Sequence, residues 1–244
     1  MRYKITFSYD GSNFYGYQVQ PGLRTVQSEL EKAVSFLNRK TNTVTVASGR
    51  TDRGVHAISQ VAHFDLSIDI PEYKVKMGLN SLLPEDIYVN SVEKVDDDFH
   101  ARYMTTSKEY VYRINMGEYN PLSRNYIYQL GKILDVEKMK EVSLQLVGKH
   151  DFRSFVDSED IRENTVREIY KIEFDVIDDE LTISFVGNGF MKYQVRNMVG
   201  ALILVGLGKK TSQDIKDLLD SKSREKALKG APSCGLYLKE VNYD

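Results

Sequence analysis

A short carboxylate stands between two arginines in the segment ASGRTDRGVHA, residues 47–57. Asp52 has Arg50 and Arg53 close by, His56 follows, and two glycines favour a tight turn. A partly buried aspartate needs such neighbours to stay ionised, and an ionised, oriented carboxylate is what nucleophilic or general-base chemistry requires. The alternative is a turn cap or a surface salt bridge to either arginine, which is the more common use of an aspartate in such a loop.

A second cationic group lies in FMKYQVRN, residues 190–197. Lys192, Arg196 and Gly200 are spaced by four, so a helix would place them on one face. Gly200 would let a neighbouring backbone or a ligand come close. The alternative is a solvated helix face with no function.

The segments that must position the Asp52 loop alternate between strand and helix patterns. Period-two alternation predicts a strand over residues 3–9, with four side chains on one face, Tyr3, Ile5, Phe7 and Tyr9. Thr25 is the predicted N-cap of a helix whose apolar stripe is Val26, Leu30, Val34 and Leu37. Further elements are predicted as strands at 43–48 and 60–66, a helix near 71–82 and a strand near 86–95.

The second half of the chain repeats this alternation. A strand is predicted over 107–116, a helix over 135–149, and a hairpin that turns at Asp178 and Asp179. A helix predicted over 190–208 would direct five apolar residues to the core, Met191, Val195, Met198, Leu202 and Val205. Two strand-rich units with interspersed helices predict an α+β fold with mainly antiparallel sheets. We expect an N-terminal domain over 1–100 that carries the Asp52 loop, and a C-terminal domain over 101–244.

Composition limits the remaining possibilities. The 244 residues are 41% hydrophobic and 28% charged, which is typical of a globular protein. The single cysteine, Cys234, excludes an internal disulfide framework and a zinc cluster built from cysteines. The N-terminus begins as a strand pattern, and no apolar run approaches the roughly 18 residues of a membrane span. We therefore expect a cytoplasmic protein without a membrane anchor.

The charge balance leaves nucleic-acid binding open. There are 33 basic and 35 acidic residues, a net charge of −2, whereas nucleic-acid binders usually carry an excess of base. The Asp52 loop and residues 190–197 nevertheless contain more base than acid. A locally basic cleft can bind phosphate on a neutral molecule, because fields are screened over about 8 Å at physiological salt.

The motif GRTDRGVHA resembles the signature of the tRNA pseudouridine synthase A family, which isomerises uridines in the anticodon arm. Other stretches fit the family in the same order: YDGSNFYGYQ (9–18), TVQSELEKAV (25–34), FHARYMTTSKEYVYRI (99–114), GKHDFRSF (148–155), TVREI (165–169), MKYQVRNMVGAL (191–202) and APSCGLYL (231–238). The resemblance therefore covers nearly the whole chain.

The resemblance implies a pseudouridine synthase fold with an active-site cleft between its two units. It implies that Asp52 is the catalytic aspartate, Tyr110 an active-site tyrosine and Arg196 the basic partner of the aspartate. We predict that five further residues contact the substrate: Arg50, which would hold the target nucleotide out of its stack, Leu236, which would line the base pocket, and Arg53, His56 and Lys192. The implied substrate is tRNA at positions 38–40 of its anticodon arm, the implied assembly a symmetric homodimer, and no cofactor or metal is needed.

Two other function classes fit parts of the pattern. The first is a non-catalytic RNA-binding module that resembles an RRM and stacks bases on exposed aromatics such as Tyr3, Phe7 or Tyr112. The second is a metal-dependent hydrolase that uses His56, His63 and Asp52. The two histidines lack the helix-borne spacing and the cysteine pairs of zinc sites, so a structural use is favoured for them.

Overall fold

The computed structural model describes residues 1–156, 164–223 and 228–243. The chain forms two compact units. Unit 1 contains residues 1–106 and the C-terminal strand from Tyr237 onward, and unit 2 contains residues 107–236. Unit 1 thus extends slightly past the division expected near residue 100, and its sheet also includes the end of the chain.

Unit 1 is built on an antiparallel sheet that gains one parallel strand. Its strands are β1 (Arg2–Tyr9), β2 (Val46–Ala47), β3 (His56–Asp65), β4 (Ile87–Val95) and β10 (Leu236–Tyr243), which begins at the unit boundary. Its helices are α1 (Val26–Leu37) and α2 (Glu72–Leu82). Strand β1 pairs antiparallel with β3 and with β4, β2 pairs antiparallel with β3, and β10 runs parallel to the start of β3.

The alternation in β1 and the cap of α1 are confirmed. The four predicted inward residues of β1, Tyr3, Ile5, Phe7 and Tyr9, are at most 4% exposed. The Thr25 hydroxyl accepts a hydrogen bond from the Ser28 backbone N–H, and the Ser28 hydroxyl oxygen accepts one from the Thr25 N–H. This reciprocal capping box satisfies two of the backbone donors left open at a helix start and contributes about 1 kcal/mol.

The predicted strand over 43–48 is wrong in its length, since β2 spans only Val46–Ala47. The residues before it bond to α1 instead of to a neighbouring strand. The Thr43 N–H donates to the Ser35 hydroxyl at 2.9 Å, and the Thr45 N–H donates to the Glu31 carboxylate at 2.9 Å. Side chains of α1 thus accept hydrogen bonds from backbone N–H groups that would otherwise pair with a neighbouring strand.

Unit 2 is built on four antiparallel strands in the order β5-β9-β8-β7. Its strands are β5 (Thr105–Asn115), which begins at the unit boundary, β6 (Tyr128–Gln129), β7 (Gly148–Asp151), β8 (Val166–Ile177) and β9 (Glu180–Gly187). Its helices are α3 (Val136–Ser143), α4 (Gln194–Gly206) and α5 (Ser212–Ser221). Strand β6 pairs with β5 in parallel, and α3 packs on α4. Mainly antiparallel sheets with helices confirm the predicted α+β class.

The hairpin prediction is confirmed and two helix predictions are wrong at one end. Strands β8 and β9 are joined at Asp178, whose φ of 53° suits a tight turn. The helix predicted over 135–149 ends at Ser143, because Gly148 has a φ of 101° and starts a strand paired with β8. The helix predicted from residue 190 begins at Gln194, because Tyr193 has a φ of 63°.

Among the described residues, no helix has both the length and the apolar character needed to cross a bilayer.

His63 should make unit 1 less stable in acid. Its ring is buried in β3, and its Nδ1 accepts a hydrogen bond from the Ala101 N–H at 3.1 Å. Burial, helped by the charges of Arg2 and His100, lowers the pKa of His63 to about 4. The unfolded chain, with a histidine pKa near 6.5, therefore binds more protons than the folded chain between about pH 6.5 and 4. Stability is complete above this window and is lost as the pH falls through it.

We expect the melting temperature to fall by roughly 2–4 °C between pH 7 and 5 because of this one residue. Thermal unfolding followed across that range would measure it. His63→Asn keeps an acceptor for the Ala101 N–H without a titrating ring, so its decline should be shallower. If the melting temperatures of the wild type and of His63→Asn fell equally between pH 7 and 5, the assignment of the effect to His63 would be contradicted.

Candidate active site

The loop that carries Asp52 joins β2 to β3 and is anchored at its start by a buried glutamine. The Ser48 hydroxyl donates to Gln60 Oε1 at 2.7 Å, and Gln60 Nε2 donates to the Gly49 carbonyl at 3.0 Å. Gln60 and Ser48 are both 0% exposed. A buried amide that is bonded on both sides resists movement, because breaking either bond leaves a buried polar group unpaired.

Two glycines shape the far side of the loop. The Val55 N–H donates to the Asp52 carbonyl at 3.1 Å and closes a turn whose third residue, Gly54, has a φ of 75°. Side chains rarely tolerate that conformation. Gly11 lies against the same turn, where an added Cβ would stand 2.0 Å from the Val55 carbonyl oxygen. Only glycine fits at Gly11 without moving the loop.

Thr51, the residue before Asp52, is held through its backbone and its side chain. The Tyr17 N–H donates to the Thr51 carbonyl at 3.0 Å. The hydroxyls of Tyr9 and Thr51 are hydrogen-bonded at 2.8 Å. Burial raises the pKa of Tyr9 to about 12, so its hydroxyl stays protonated at neutral pH. Residues 9–18 thus support the loop, and the backbone on which Asp52 stands is fixed.

The two arginines beside Asp52 are exposed, whereas Asp52 itself is half-buried. The Arg53 guanidinium lies 4.2 Å from the centre of the Tyr15 ring, a cation–π contact. Over the described ranges, neither Arg50 nor Arg53 takes part in an ion pair. The alternative in which Asp52 forms a surface salt bridge with either arginine is therefore wrong. Hydrogen bonds and glycine contacts hold the loop.

His56 lies in β3 and is buried, at 2% exposed. Its Nδ1 accepts a hydrogen bond from the Gly11 N–H at 3.1 Å and stands 3.2 Å from the Asp10 carboxylate. Its ring stacks on Tyr237 of β10, with 4.7 Å between the ring centres. These contacts favour a part for His56 in anchoring the Gly11 turn, although its side chain was predicted to touch the substrate.

Tyr110 lies in β5 of unit 2, opposite Phe185 of β9. Its side chain is 8% exposed, and its ring meets the Phe190 ring edge-on at 5.2 Å between centres. Gly187 allows this arrangement, since a Cβ there would come within 3.2 Å of the Phe190 ring. Tyr110 is thus held by aromatic packing.

Arg196 lies in the first turn of α4 and is bonded to the chain that precedes β10. Its Nε donates to the Ala231 carbonyl at 2.8 Å, and the Ala231 N–H donates back to the Arg196 carbonyl at 2.9 Å. Lys192 precedes the helix, so the predicted helical face shared by Lys192, Arg196 and Gly200 is wrong. Gly200 is buried, and a Cβ on it would stand 2.2 Å from the Lys229 carbonyl oxygen. A neighbouring backbone, and not a ligand, uses that space.

Leu236 is the first residue of β10 and is 5% exposed. A short 3-10 turn, Ser233–Gly235, delivers it. A Cβ on Gly235 would stand 2.6 Å from the Arg113 carbonyl oxygen, so the turn packs directly on β5. The Tyr112 hydroxyl donates to the Pro232 carbonyl at 2.6 Å and ties the same turn down.

Comparison with known proteins identifies the family. A family model described as tRNA pseudouridine synthase matches residues 5–104 and 142–244 of the chain. The chain belongs to this family. Its expected membership, drawn from the motifs, is confirmed.

Curated relatives extend the match over the full length. The tRNA pseudouridine synthase A of Bacillus licheniformis is 47% identical over 246 residues, which cover 100% of both chains. The tRNA pseudouridine synthase A of Ligilactobacillus salivarius is 46% identical over 247 residues, covering 100% of this chain and 96% of the relative. That of Listeria monocytogenes is 46% identical over 246 residues, covering 100% and 99%.

The structure argues against both alternative function classes, the RNA-binding module and the metal-dependent hydrolase, with the residues suggested for them. The RNA-binding module needs exposed aromatics, but the residues suggested for it, Tyr3, Phe7 and Tyr112, are each 0% exposed. In the metal hydrolase, His56 and His63 would be ligands, yet Nδ1 of each ring accepts a backbone N–H. Across the described residues, no three His, Cys, Asp or Glu side chains are grouped to hold a metal ion.

Several residues that hold the Asp52 loop or begin α4 were not predicted from the sequence. Gln60 and Thr51 hold the Asp52 loop, but a glutamine in a strand and a threonine in a loop carry no signal of such a role. Gly11 does have a signal, because its motif YDGSNFYG combines glycines with aromatics in a way that a simple strand end does not require. Tyr193 has none, since nothing in the sequence predicts an aromatic residue with a positive φ.

Proposed function

We propose that this chain converts uridine to pseudouridine in the anticodon arm of tRNA, with Asp52 as the catalytic carboxylate. The observation that carries the proposal is the rigid, glycine-shaped loop that presents a half-buried Asp52 within the GRTDRGVHA motif. Full-length similarity to enzymes named tRNA pseudouridine synthase A supports the reaction and the substrate class.

The reaction breaks the bond between N1 of uracil and C1′ of ribose, rotates the freed base, and joins C5 to C1′. The C5 proton is then lost and N1 gains a proton, so atoms balance without an oxidant, a phosphate donor or a metal. The carboxylate has three routes to the same outcome. It can attack C1′, add to C6 of the base, or take the 2′ proton.

We assign the other chemical roles by residue type and by the family resemblance. Arg196 is the cation that keeps Asp52 ionised and oriented, through a charge-assisted hydrogen bond. Tyr110 stacks on the base, and its hydroxyl assists removal of the C5 proton.

The remaining predicted residues act on binding. A base within an RNA stem must be extruded before reaction, at a cost of a few kcal/mol. Arg50 is exposed beside Asp52, so it is available to occupy the vacated stack and offset part of this cost. Arg53 and Lys192 add positive charge for phosphates, and Leu236 provides an apolar contact for the base. His56 contributes by holding the loop.

Tyr110→Phe should separate binding from chemistry. The ring and its packing on Phe190 stay, but the hydroxyl is lost, so tRNA affinity should remain within about 3-fold while kcat falls about 10- to 100-fold. Filter binding and single-turnover assays on the same preparation would measure both. Tyr170→Phe, at an exposed tyrosine of β8 in the same unit, is the matched control. If Tyr110→Phe turned over at the wild-type rate, the hydroxyl would have no part in the chemistry.

We also propose that the protein acts as a cytoplasmic homodimer. A chain of 28.0 kDa with a net charge of −2 is small and weakly charged relative to a tRNA, and two subunits would double the basic surface available. Light scattering should give twice the chain mass at working concentration. A fully active species with the mass of one chain would contradict the proposal.

Mixed dimers test whether one subunit binds the tRNA while the other catalyses the reaction. Asp52→Asn chains would be mixed with chains that carry charge reversals at two lysines of α2 outside the active site, Lys74 and Lys76. If one subunit grips tRNA while the other reacts, mixed dimers should recover activity that both parents lack. Inactive mixtures of folded, dimerising parents would show that gripping and catalysis belong to the same chain.

The substrate assignment is tested by pseudouridine-specific chemical mapping of RNA from cells with and without this protein. We expect signals in the anticodon arm of tRNA to disappear from the deficient cells and the rest of the map to persist. Signals lost only from other RNAs would overturn the assignment to tRNA.

A further inference from the structure

Tyr103 of unit 1 is exposed to solvent and yet is held in place. Its side chain is 76% exposed, the largest fraction for any tyrosine among the described residues. Its ring nevertheless stacks on the His100 ring, with 4.2 Å between the ring centres and 29° between the planes. Cζ of Arg102 lies 5.9 Å from the Tyr103 ring centre, near the outer limit of a cation–π contact. Since His100 covers only one face of the ring, so large an exposed fraction leaves the other face accessible.

The His100 ring beneath Tyr103 is fixed by its own contacts. Its Nδ1 accepts hydrogen bonds from the backbone N–H groups of Arg102 at 3.2 Å and of Tyr103 at 3.3 Å. The ring also meets the buried His63 ring of β3 edge-on, with 5.0 Å between the centres. Tyr103 therefore rests on a side chain that is tied both to its own turn and to the sheet.

The turn that carries both rings, residues 99–104, is anchored to distant parts of unit 1. The Arg2 guanidinium donates to the Phe99 carbonyl at 3.0 Å, and the Tyr243 hydroxyl donates to the Ala101 carbonyl at 2.6 Å. These residues come from the first and the last strand of the unit. A ring on a turn held in this way loses little conformational freedom when a ligand covers it, and this favours binding.

The surroundings of Tyr103 favour a flat, uncharged partner. Three exposed acids directly precede the turn, Asp96, Asp97 and Asp98, so a run of phosphates would be repelled here. A nucleobase carries no such charge, and its π face stacks on aromatic side chains. Bases within an RNA helix are already covered by their neighbours, so an unpaired base is the part of an RNA that can use this ring.

The position of the turn along β3 separates Tyr103 from the reacting nucleotide. Strand β3 begins at His56, shortly after Asp52, and His63 lies near its other end. Seven residues at about 3.3 Å each place His63 roughly 20 Å along the strand from its start. Because Tyr103 is supported from this far end of β3, we assign it to a nucleotide other than the uridine that reacts.

We propose that Tyr103, supported by His100, is a stacking platform for one unpaired nucleobase of the RNA substrate, at a position other than the target uridine. The inference rests on the proposed function, which makes an RNA the substrate. Tyr103 contributes to affinity and takes no part in the chemical step.

Binding of a tRNA transcript to the purified full-length protein tests the platform. Tyr103→Ala should raise the Kd about 10-fold, the loss typical of one base–aromatic stack, whereas Tyr103→Phe keeps the ring and should stay within about 2-fold. The salt dependence of the Kd should be the same for Tyr103→Ala and the wild type, because stacking releases no counterions. Tyr119→Ala removes a ring of unit 2 that is 65% exposed, and this control should bind like the wild type.

Three further measurements separate base stacking from other uses of the ring. Single-turnover kinetics at saturating tRNA should give the wild-type rate for Tyr103→Ala. A fully paired RNA duplex should bind both proteins equally, because it offers no unpaired base. Light scattering should give both proteins the same mass. The melting temperature should differ by less than about 2 °C, since an exposed ring adds little to stability.

Four results would overturn the proposal. They are a wild-type Kd for Tyr103→Ala, an equal loss of affinity for the paired duplex, a lowered rate at saturating tRNA, and a change of mass, which would assign the ring to a contact between copies of the chain. A wild type that binds tRNA with this dependence on Tyr103 but forms no pseudouridine would remove the proposed function and leave the platform. A Tyr103→Ala protein that binds and reacts normally would remove the platform alone.

Discussion

Asp52→Asn is expected to lower the rate of pseudouridine formation by at least about 10⁴-fold, the size of effect seen when a group needed for the chemical step is removed. The amide has nearly the shape of the carboxylate but is neither a nucleophile nor a base at neutral pH. The loop should keep its structure, because Gln60, Thr51 and two glycines hold its backbone. Affinity for tRNA should stay within about 3-fold.

Single-turnover kinetics on a tRNA transcript would measure the rate, and filter binding would measure the affinity. Asp69→Asn is the matched control, since Asp69 is an exposed acid of unit 1 that pairs with Lys94 at 2.6 Å. That variant should react at the wild-type rate. Turnover above about one hundredth of the wild-type rate in folded Asp52→Asn protein would show that another residue carries the chemistry.

Arg196→Lys should lower kcat about 100- to 1,000-fold although the charge is kept. Lysine replaces a planar, two-pronged donor by a point charge on a flexible stem. It also lacks an Nε–H for the Ala231 carbonyl, so this carbonyl in the segment before β10 loses that hydrogen bond. We expect a larger effect than that of Tyr110→Phe, because the orientation of Asp52 and not a single proton transfer is affected.

Arg113→Lys provides the control for replacing a bonded arginine elsewhere in unit 2. Arg113 pairs with Glu180 through Nε at 2.6 Å and Nη2 at 3.1 Å. The Arg113→Lys variant should change stability slightly and leave kcat unaltered. A near-normal rate for Arg196→Lys would mean that only the local field of this residue matters, and would contradict an orienting role.

Local patterns predicted the elements whose hydrogen bonds and burial are decided within a short stretch of chain. The period-two alternation of β1 gave its buried face, Thr25 marked the start of α1, and the turn at Asp178 marked the β8–β9 hairpin. In each case the residues that determine the structure are neighbours in sequence. Motif order likewise identified the family, because it depends on residue types and not on contacts.

The errors arose where distant residues decide the local structure. Strand β2 is short because Thr43 and Thr45 bond to side chains of α1 that are 8 and 14 residues earlier in the chain. The start of α4 was set too early because nothing in the sequence shows that Tyr193 has a positive φ. That single residue separates Lys192 from the helix, and with it the predicted cationic face.

The same limit applies to the site. A surface salt bridge to the arginines beside Asp52 was one interpretation of the sequence, yet the loop backbone is held by Gln60 and by the stretch that contains Gly11 and Tyr17. Neighbours in sequence can carry charge without pairing, because surface ion pairs contribute little and long side chains lose entropy when fixed. Which residues support a loop depends on tertiary packing, which a single sequence does not state.

The most direct test of the account is the reaction itself, carried out on a uridine-containing tRNA transcript with purified wild-type and Asp52→Asn proteins. Pseudouridine would be mapped at single-nucleotide resolution after incubation without added metal or cofactor. The account predicts pseudouridine in the anticodon arm with the wild type and none above background with Asp52→Asn. Equal modification by both proteins, or none by the folded wild type, would contradict it.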